Sequence, residues 1–276
     1  TLLWGASGCE TPETESARPA IYGGVPVTDP AHSAVVALVE DKGAGQWESF
    51  CTGTLIAPDK VLTAAHCVLT KTTPYQYLQP INFYLGGFYG QQYTATSVLA
   101  HPSYSGGNKS DLAVIWLGQN ITSVSPYPIA TASEVPKKYE SITMVGYGLI
   151  GENLGQFGTK RKATNTINQV YQHVFSFDGA SGTKSTVCSG DSGGPTFATR
   201  NGKETVIGVH STSEQGCQDQ GFDMRVDAFY QWITTQQVTK RTYGQLCTTG
   251  GDCISGLCIP AGNGSNDAYC TQGCDS

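Results

Sequence analysis

The chain of 276 residues carries 16 Lys and Arg against 22 Asp and Glu, for a formal net charge of −6, and has no clustered basic patch. This composition argues against a nucleic-acid partner, and no apolar run is long enough to span a bilayer as a helix. The ten cysteines predict disulfide bonds and therefore secretion into an oxidising compartment. With 34 glycines and 13 prolines, the composition predicts short strands joined by many turns, as in β-barrels or sandwiches.

Residues 1–20 are predicted to be a signal remnant followed by a propeptide or tether. The opening apolar run ends in small residues, which resembles the tail of a secretory signal peptide. Small residues directly before Cys9 also resemble a bacterial lipoprotein cleavage box. Cys9 is therefore either a lipidated membrane tether or an ordinary disulfide partner. The polar, aperiodic segment from Glu10 to Pro19 suits a flexible linker.

The segment CSGDSGGP, residues 188–195, contains the candidate nucleophile Ser192. A serine hydroxyl is a poor nucleophile at neutral pH, so catalysis needs a histidine base and a carboxylate that orients the histidine. His66, in the segment VLTAAHC, and Asp111, at the start of an apolar run, are the candidates. The order His66, Asp111, Ser192 differs from the order of serine, acid and histidine in α/β-hydrolases.

Five segments in this order resemble those of a chymotrypsin-like, trypsin-family (S1) serine protease. They are IYGGV from Ile21, FCTGTLI from Phe50, VLTAAHC from Val61, SDLAVI from Ser110 and CSGDSGGP from Cys188. The resemblance runs from Ile21 to about Val238, and the predicted protease domain spans residues 21–238. It implies an all-β fold of two antiparallel six-stranded Greek-key barrels, with the site between them. The segment DAFYQWITTQQV, residues 227–238, has helical spacing behind an aspartate suited to capping, and is predicted to be the C-terminal helix.

The resemblance implies a secreted endopeptidase, acting as a monomer on protein or peptide substrates without a cofactor. Ser192 would attack the peptide carbonyl, His66 would carry the proton and Asp111 would orient His66. The backbone N–H groups of Gly190 and Ser192 would form the oxyanion hole. No metal is expected, because the loop at residues 86–92 lacks the carboxylates that bind calcium in trypsins.

The same resemblance implies a zymogen. An activating protease would cut between Ala20 and Ile21, and the new α-ammonium group would pair with Asp191. Activators of trypsin-like zymogens usually cut after a basic residue. Ala20 therefore predicts an activator that accepts small residues, or trimming after a cut at Arg18.

Disulfides Cys51–Cys67 and Cys188–Cys217 are also implied by the resemblance. Residues 239–276 form a separate cysteine-rich tail, too small to build a core without disulfides. Its five cysteines are Cys247, Cys253, Cys258, Cys270 and Cys274. Because five is odd, either Cys9 pairs with the tail or the sequence stops inside a cysteine module. Two alternative functions follow: a catalytically silent binding module, or a protease whose tail docks it to a surface.

Nine residues around Ser192 are implied to bind the substrate side chain before the cleaved bond, the P1 side chain. They are Thr186, Val187, Ser189, His210, Ser211, Thr212, Ser213, Gly221 and Asp223. Thr186 stands at the pocket floor, where trypsins carry aspartate, so the preference is predicted not to be basic. Asp223, just past the pocket glycine Gly221, offers a negative charge that would restore some basic preference.

His210 supports an acidic P1 residue as the alternative to an apolar or neutral one. With Ser211 and Ser213 it resembles the glutamate-specific bacterial branch, in which a histidine and serines bind the substrate carboxylate. Burying a carboxylate without such donors costs several kcal/mol, roughly. Val187 counts against this reading, because that branch carries a hydroxyl there.

Overall fold

A computed structural model describes the protease region with gaps. The described residues are 21, 24–27, 30, 32–71, 77–78, 81–85, 90–148, 158–179, 185–213, 217 and 219–236, with the backbone of 258–260 and 268–270. The predictions for residues 1–20, including Cys9 and Ala20, for loop residues 86–89 and for most of the cysteine-rich tail lie outside them. Within the described residues, no helix is both long and apolar enough to cross a membrane.

Six strands form the first barrel. They are β2 (Val35–Gly43), β3 (Gln46–Ala57), β4 (Lys60–Thr63), β5 (Asn82–Leu85), β6 (Gln91–Ala100) and β7 (Ala113–Leu117). The strands are antiparallel in the order β2-β3-β4-β7-β6-β5, and pairing of β2 with β5 closes the barrel. Closure removes the exposed edges that an open sheet would present.

The second barrel repeats this connectivity. Its strands are β8 (Ser141–Gly146), β9 (Arg161–Val170), β10 (Val174–Phe177), β11 (Pro195–Arg200), β12 (Lys203–Ser213) and β13 (Gly221–Arg225). They run in the order β8-β9-β10-β13-β12-β11, closed by β11 on β8, while the short β1 (Val25–Pro26) adds to β9. In both barrels the last three strands follow in reverse order, and the predicted fold of two six-stranded barrels is confirmed.

Apolar side chains from both barrels pack into a continuous core. Val35, Val36, Ala37, Leu38 and Val39 of β2 are all buried, although a strand with one wet face would alternate. The side chains that point inward fill the barrel, and those that point outward are covered by neighbouring segments. The barrels are therefore rigid supports for the loops at their ends.

The C-terminal helix is shorter than predicted. A 3-10 turn covers Asp227–Phe229, and the helix α1 spans Tyr230–Thr235. Asp227 does not cap it: its carboxylate accepts hydrogen bonds from the Arg225 guanidinium, one at 3.1 Å from Nε. A buried carboxylate takes a charged donor over a backbone N–H, because its desolvation is then better compensated.

In the tail, two short strands pair antiparallel. They are β14 (Cys258–Pro260) and β15 (Ala268–Cys270), and Cys258 is the register partner of Cys270.

Candidate active site

Strand pairing in the first barrel brings two of the predicted catalytic residues together. Thr63, at the end of β4, is the register partner of Ala113, at the start of β7. His66 lies three residues after Thr63, in a 3-10 turn, and Asp111 lies two residues before Ala113. The antiparallel register therefore delivers both side chains to the same end of the barrel.

The Asp111 carboxylate is fully buried and accepts three hydrogen bonds. His66 Nδ1 lies 2.7 Å from Oδ2, the His66 backbone N–H donates to Oδ1 at 2.9 Å, and Ser211 Oγ donates to Oδ2 at 2.6 Å. A carboxylate with these partners stays an acceptor, so Nδ1 of a neutral His66 carries the proton. The other ring nitrogen, Nε2, is then the basic one, on a side chain that is 33% exposed.

A disulfide joins the turn that carries His66 to strand β3 and lies next to Ser192. Cys51 of β3 is bonded to Cys67, with their Cα atoms 6.0 Å apart. Sγ of Cys67 lies 3.8 Å from His66 Nε2 and 3.5 Å from the Ser192 carbonyl oxygen. Among the described residues, Cys51, His66 and Cys67 form a cluster with metal-ligand spacing. Both sulfurs are used by the disulfide, so this cluster has no thiolate to offer a metal ion.

The loop before Ser192 has a conformation that depends on glycine. Gly190 and Gly193 have φ angles of +91° and +80°, which side chains with a β-carbon rarely adopt. At Gly193 a β-carbon would also lie 3.0 Å from the Ala64 nitrogen. The loop is fixed to the first barrel by Thr52, whose Oγ1 donates to the Gly190 carbonyl at 2.9 Å and whose N–H donates to the Ser192 carbonyl at 2.8 Å.

Asp191 is buried beneath this loop. Its carboxylate accepts hydrogen bonds from the backbone N–H groups of Cys188 at 2.9 Å, Gly148 at 2.8 Å and Ile21 at 3.3 Å. Ile21 is itself fully buried. Burial raises the pKa of Asp191 from its ordinary value of 3.8 to about 6, although these hydrogen bonds and the charge of His210 oppose the rise.

A cavity of about 100 Å³ lies beside Ser192. The described residues that line it are Val187, Cys188, Ser189, Ser192, His210, Ser211, Thr212 and Ser213. A disulfide between Cys188 and Cys217 ties its walls together. The lining is rich in hydroxyl groups, and Nε2 of the buried His210 has no hydrogen-bond partner among the residues that the structure describes.

Three of the predicted pocket residues, Thr186, Gly221 and Asp223, do not line this cavity. Asp223 is fully buried, and its Oδ1 lies 2.9 Å from His210 Nδ1. Its Oδ2 accepts a hydrogen bond from Thr196 Oγ1. This arrangement has an electrostatic cause, because a buried carboxylate needs stabilising partners. The Asp223 carboxylate interacts with His210 and Thr196 and does not face a substrate cation.

A larger cavity, of about 490 Å³, lies on the other side of His66 and was not predicted. Phe50, Leu78 and Ile81 give it an apolar lining, and Glu40 and Asp41 give it carboxylates. These residues come from β2, β3 and the segment before β5, and they carry no shared sequence motif. His66 lines this larger cavity, and Ser192 lines the smaller one.

Comparisons with known proteins agree with this geometry. The family model described as Trypsin matches residues 21–233. A trypsin of Saccharopolyspora erythraea is 30% identical over 231 residues, which cover 78% of this chain and 97% of that protein. Chymotrypsin-like elastase family member 1 of Canis lupus familiaris is 29% identical over 254 residues, which cover 84% of this chain and 96% of that protein. The chain belongs to the trypsin family and is a serine-type endopeptidase.

Proposed function

We propose that Ser192 is the nucleophile, His66 the general base and Asp111 the residue that orients His66. The buried Asp111 carboxylate carries this proposal, because it bonds both the ring and the backbone of His66. With Nδ1 engaged, Nε2 takes the proton of Ser192 Oγ as the hydroxyl attacks the substrate carbonyl. The resulting imidazolium faces a buried negative charge, and it then gives the proton to the leaving amine.

The N–H groups of Gly190 and Ser192 are proposed to stabilise the negative oxygen of the tetrahedral intermediate. The Gly190 carbonyl is already occupied by Thr52 Oγ1, and the positive φ of Gly190 allows the sharp turn that would direct the N–H groups of Gly190 and Ser192 toward one point. Donors held in place before the reaction need no reorganisation when charge develops.

The experiment is cleavage of a diverse peptide library by protein that begins at Ile21, with Ser192→Ala as the control. Cleavage is expected only with the unaltered serine. Equal cleavage by both proteins would refute the role of Ser192. Binding of peptides without cleavage by either protein would instead support the silent binding module.

Activation by cleavage before Ile21 is the second part of the proposal. In the uncut chain the Ile21 nitrogen is an uncharged amide, 3.3 Å from a carboxylate that burial disfavours. Cleavage would turn it into an ammonium group and supply the missing counter-charge. Since Asp191 directly precedes Ser192, this pairing would stabilise the oxyanion loop, with a separate protease that accepts Ala20 as activator.

The third part of the proposal is that the preferred P1 side chain is not basic. No carboxylate lines the described part of the small cavity, and Asp223 is engaged by His210 and Thr196. An acidic P1 residue remains the second candidate, because the unpartnered Nε2 of His210 borders the cavity and could donate to a carboxylate once the ring is protonated.

Secretion is proposed from the disulfides, which persist in oxidising compartments. Docking through residues 239–276 would add to protease activity. A chain that ends at Val238 should then keep peptide cleavage and lose attachment to cells or polymers.

A further inference from the structure

The aromatic ring of Phe177 fills the space in front of Gly221. The two residues are register partners on β10 and β13. A β-carbon at position 221 would lie 2.5 Å from Cζ of Phe177 and nearer still to Cε2. Phe177 is fully buried, so its ring is held by its neighbours and cannot swing into solvent to make room.

Gly221 is also adjacent to the cavity beside Ser192. On the side opposite Phe177, its register partner is Ser213 of β12, and Ser213 lines that cavity. The strand β13 therefore places the Phe177 ring beside the residue that the resemblance makes the pocket glycine, one strand away from Ser213. A ring at this position occupies the volume into which a deeper pocket would extend.

The burial of Thr186 shows that the cavity ends before it reaches this residue. This residue stands where the resemblance puts the pocket floor, yet it is fully buried and does not line the cavity. Its Oγ1 has no hydrogen-bond partner among the described residues. A floor hydroxyl open to a pocket would be in contact with solvent, so Thr186 is closed off from the cavity.

The volume that remains sets a limit on the substrate side chain. The cavity holds about 100 Å³, whereas an apolar cavity of about 150 Å³ accommodates benzene. A cavity smaller than the one that holds benzene suits side chains smaller than a phenyl ring. Alanine, serine, threonine and valine side chains meet this limit, but phenylalanine and arginine exceed it.

We infer that Phe177 is a specificity-determining residue that shortens the P1 pocket, so that the enzyme cleaves after small side chains. The inference rests on the proposed function, and it narrows the non-basic preference to a preference by size. Phe177 acts by filling the space beside Gly221, and neither residue is among those that line the cavity.

The test uses peptides that differ only in a P1 alanine, valine, phenylalanine or arginine. With the protein that begins at Ile21, kcat/KM for valine should exceed that for phenylalanine roughly tenfold or more. Phe177→Ala should raise the ratio of phenylalanine to valine cleavage by roughly tenfold or more, because the ring no longer fills the pocket. A ratio within one protein is independent of how much of the sample is folded.

Phe175→Ala is the matched control. Phe175 is equally buried and lies two residues away on the same strand, and its Cζ would be 2.5 Å from a β-carbon at Gly208. Phe175→Ala should leave the ratio of phenylalanine to valine cleavage unchanged. An equal rise of this ratio with both variants would overturn the inference.

If Phe177→Ala does not fold, the unaltered enzyme still tests the inference. Its Ser192 should react faster with a valine phosphonate than with a phenylalanine phosphonate. The opposite order, or better cleavage after phenylalanine than after valine, would refute the small pocket and leave the endopeptidase proposal intact. No cleavage and no labelling of Ser192 would refute both.

Discussion

Replacing Asp191 with asparagine should remove a pH-dependent loss of stability from the uncut chain and a stabilising ion pair from the cut one. In the uncut chain, burial holds the Asp191 pKa at about 6 against an ordinary 3.8. Between these values the folded state binds more protons than the unfolded state, so stability is fully present below pH 3.8 and is lost as the pH rises through 6. At about 1.36 kcal/mol per pH unit, the loss amounts to about 3 kcal/mol.

Cleavage before Ile21 should reverse the direction of the Asp191 pKa shift. The new ammonium group favours the carboxylate, so the Asp191 pKa falls below its ordinary value. The resulting stabilisation is present above the ordinary pKa of 3.8 and is lost only as the pH falls through the lowered pKa. Asparagine has no charge to titrate, so the difference between Asp191 and Asp191→Asn isolates the contribution of this carboxyl group in each form.

Urea unfolding at pH 4 and pH 7.5 would measure the effect, with Ser192→Ala in all proteins to prevent self-cleavage. Part of the loss is already complete at pH 4, so in the uncut chain Asp191→Asn should gain about 2 kcal/mol relative to Asp191 between the two pH values. In a chain that begins at Ile21, the difference between Asp191 and Asp191→Asn should stay nearly constant over this interval, because the folded and unfolded pKa values of the carboxyl group then both lie below pH 4. The same pH dependence in both forms would refute the proposed pairing.

Three further predictions concern single side chains. Ser211→Ala removes a hydrogen bond to the Asp111 carboxylate and should lower kcat roughly tenfold with KM nearly unchanged; an unaltered kcat would exclude a role for this hydroxyl. His210→Ala should lower kcat/KM for a glutamate P1 peptide roughly tenfold more than for a valine one, and equal losses would remove the proposed carboxylate donor. Thr52→Val leaves the Gly190 carbonyl without its donor, so urea unfolding should show a loss of about 1–3 kcal/mol and kcat should fall; full stability with normal kcat would contradict that role.

The candidate catalytic residues are recognisable in the sequence because each lies inside a short segment whose residues fix its backbone. Ser192 lies between Gly190 and Gly193, which both have positive φ, and His66 lies one residue before a disulfide cysteine. The strand register then needed only to bring the segments together, as the pairing of Thr63 with Ala113 does. Local sequence and tertiary structure agree at these positions.

The pocket could not be predicted in the same way. The contacts of Phe177 with Gly221 and of His210 with Asp223 join residues on different strands, and their register is set by the barrel as a whole. No local pattern distinguishes a carboxylate that faces a substrate from one that faces a histidine. Asp223 is a carboxylate of the second kind, because its Oδ1 lies 2.9 Å from His210 Nδ1 and a buried carboxylate needs a compensating partner.

The described protease region has four fully or almost fully buried carboxylates, and three of them have a side-chain partner that can carry positive charge. Asp111 pairs with His66, Asp223 with His210 and Asp227 with Arg225. Asp191 has only backbone N–H donors in the uncut chain. Because an uncompensated buried charge is costly, Asp191 is the carboxylate whose environment gains most from a new cation. It lies next to Ser192, so a cut at Ile21 changes the charge balance at the position where the oxyanion loop is built.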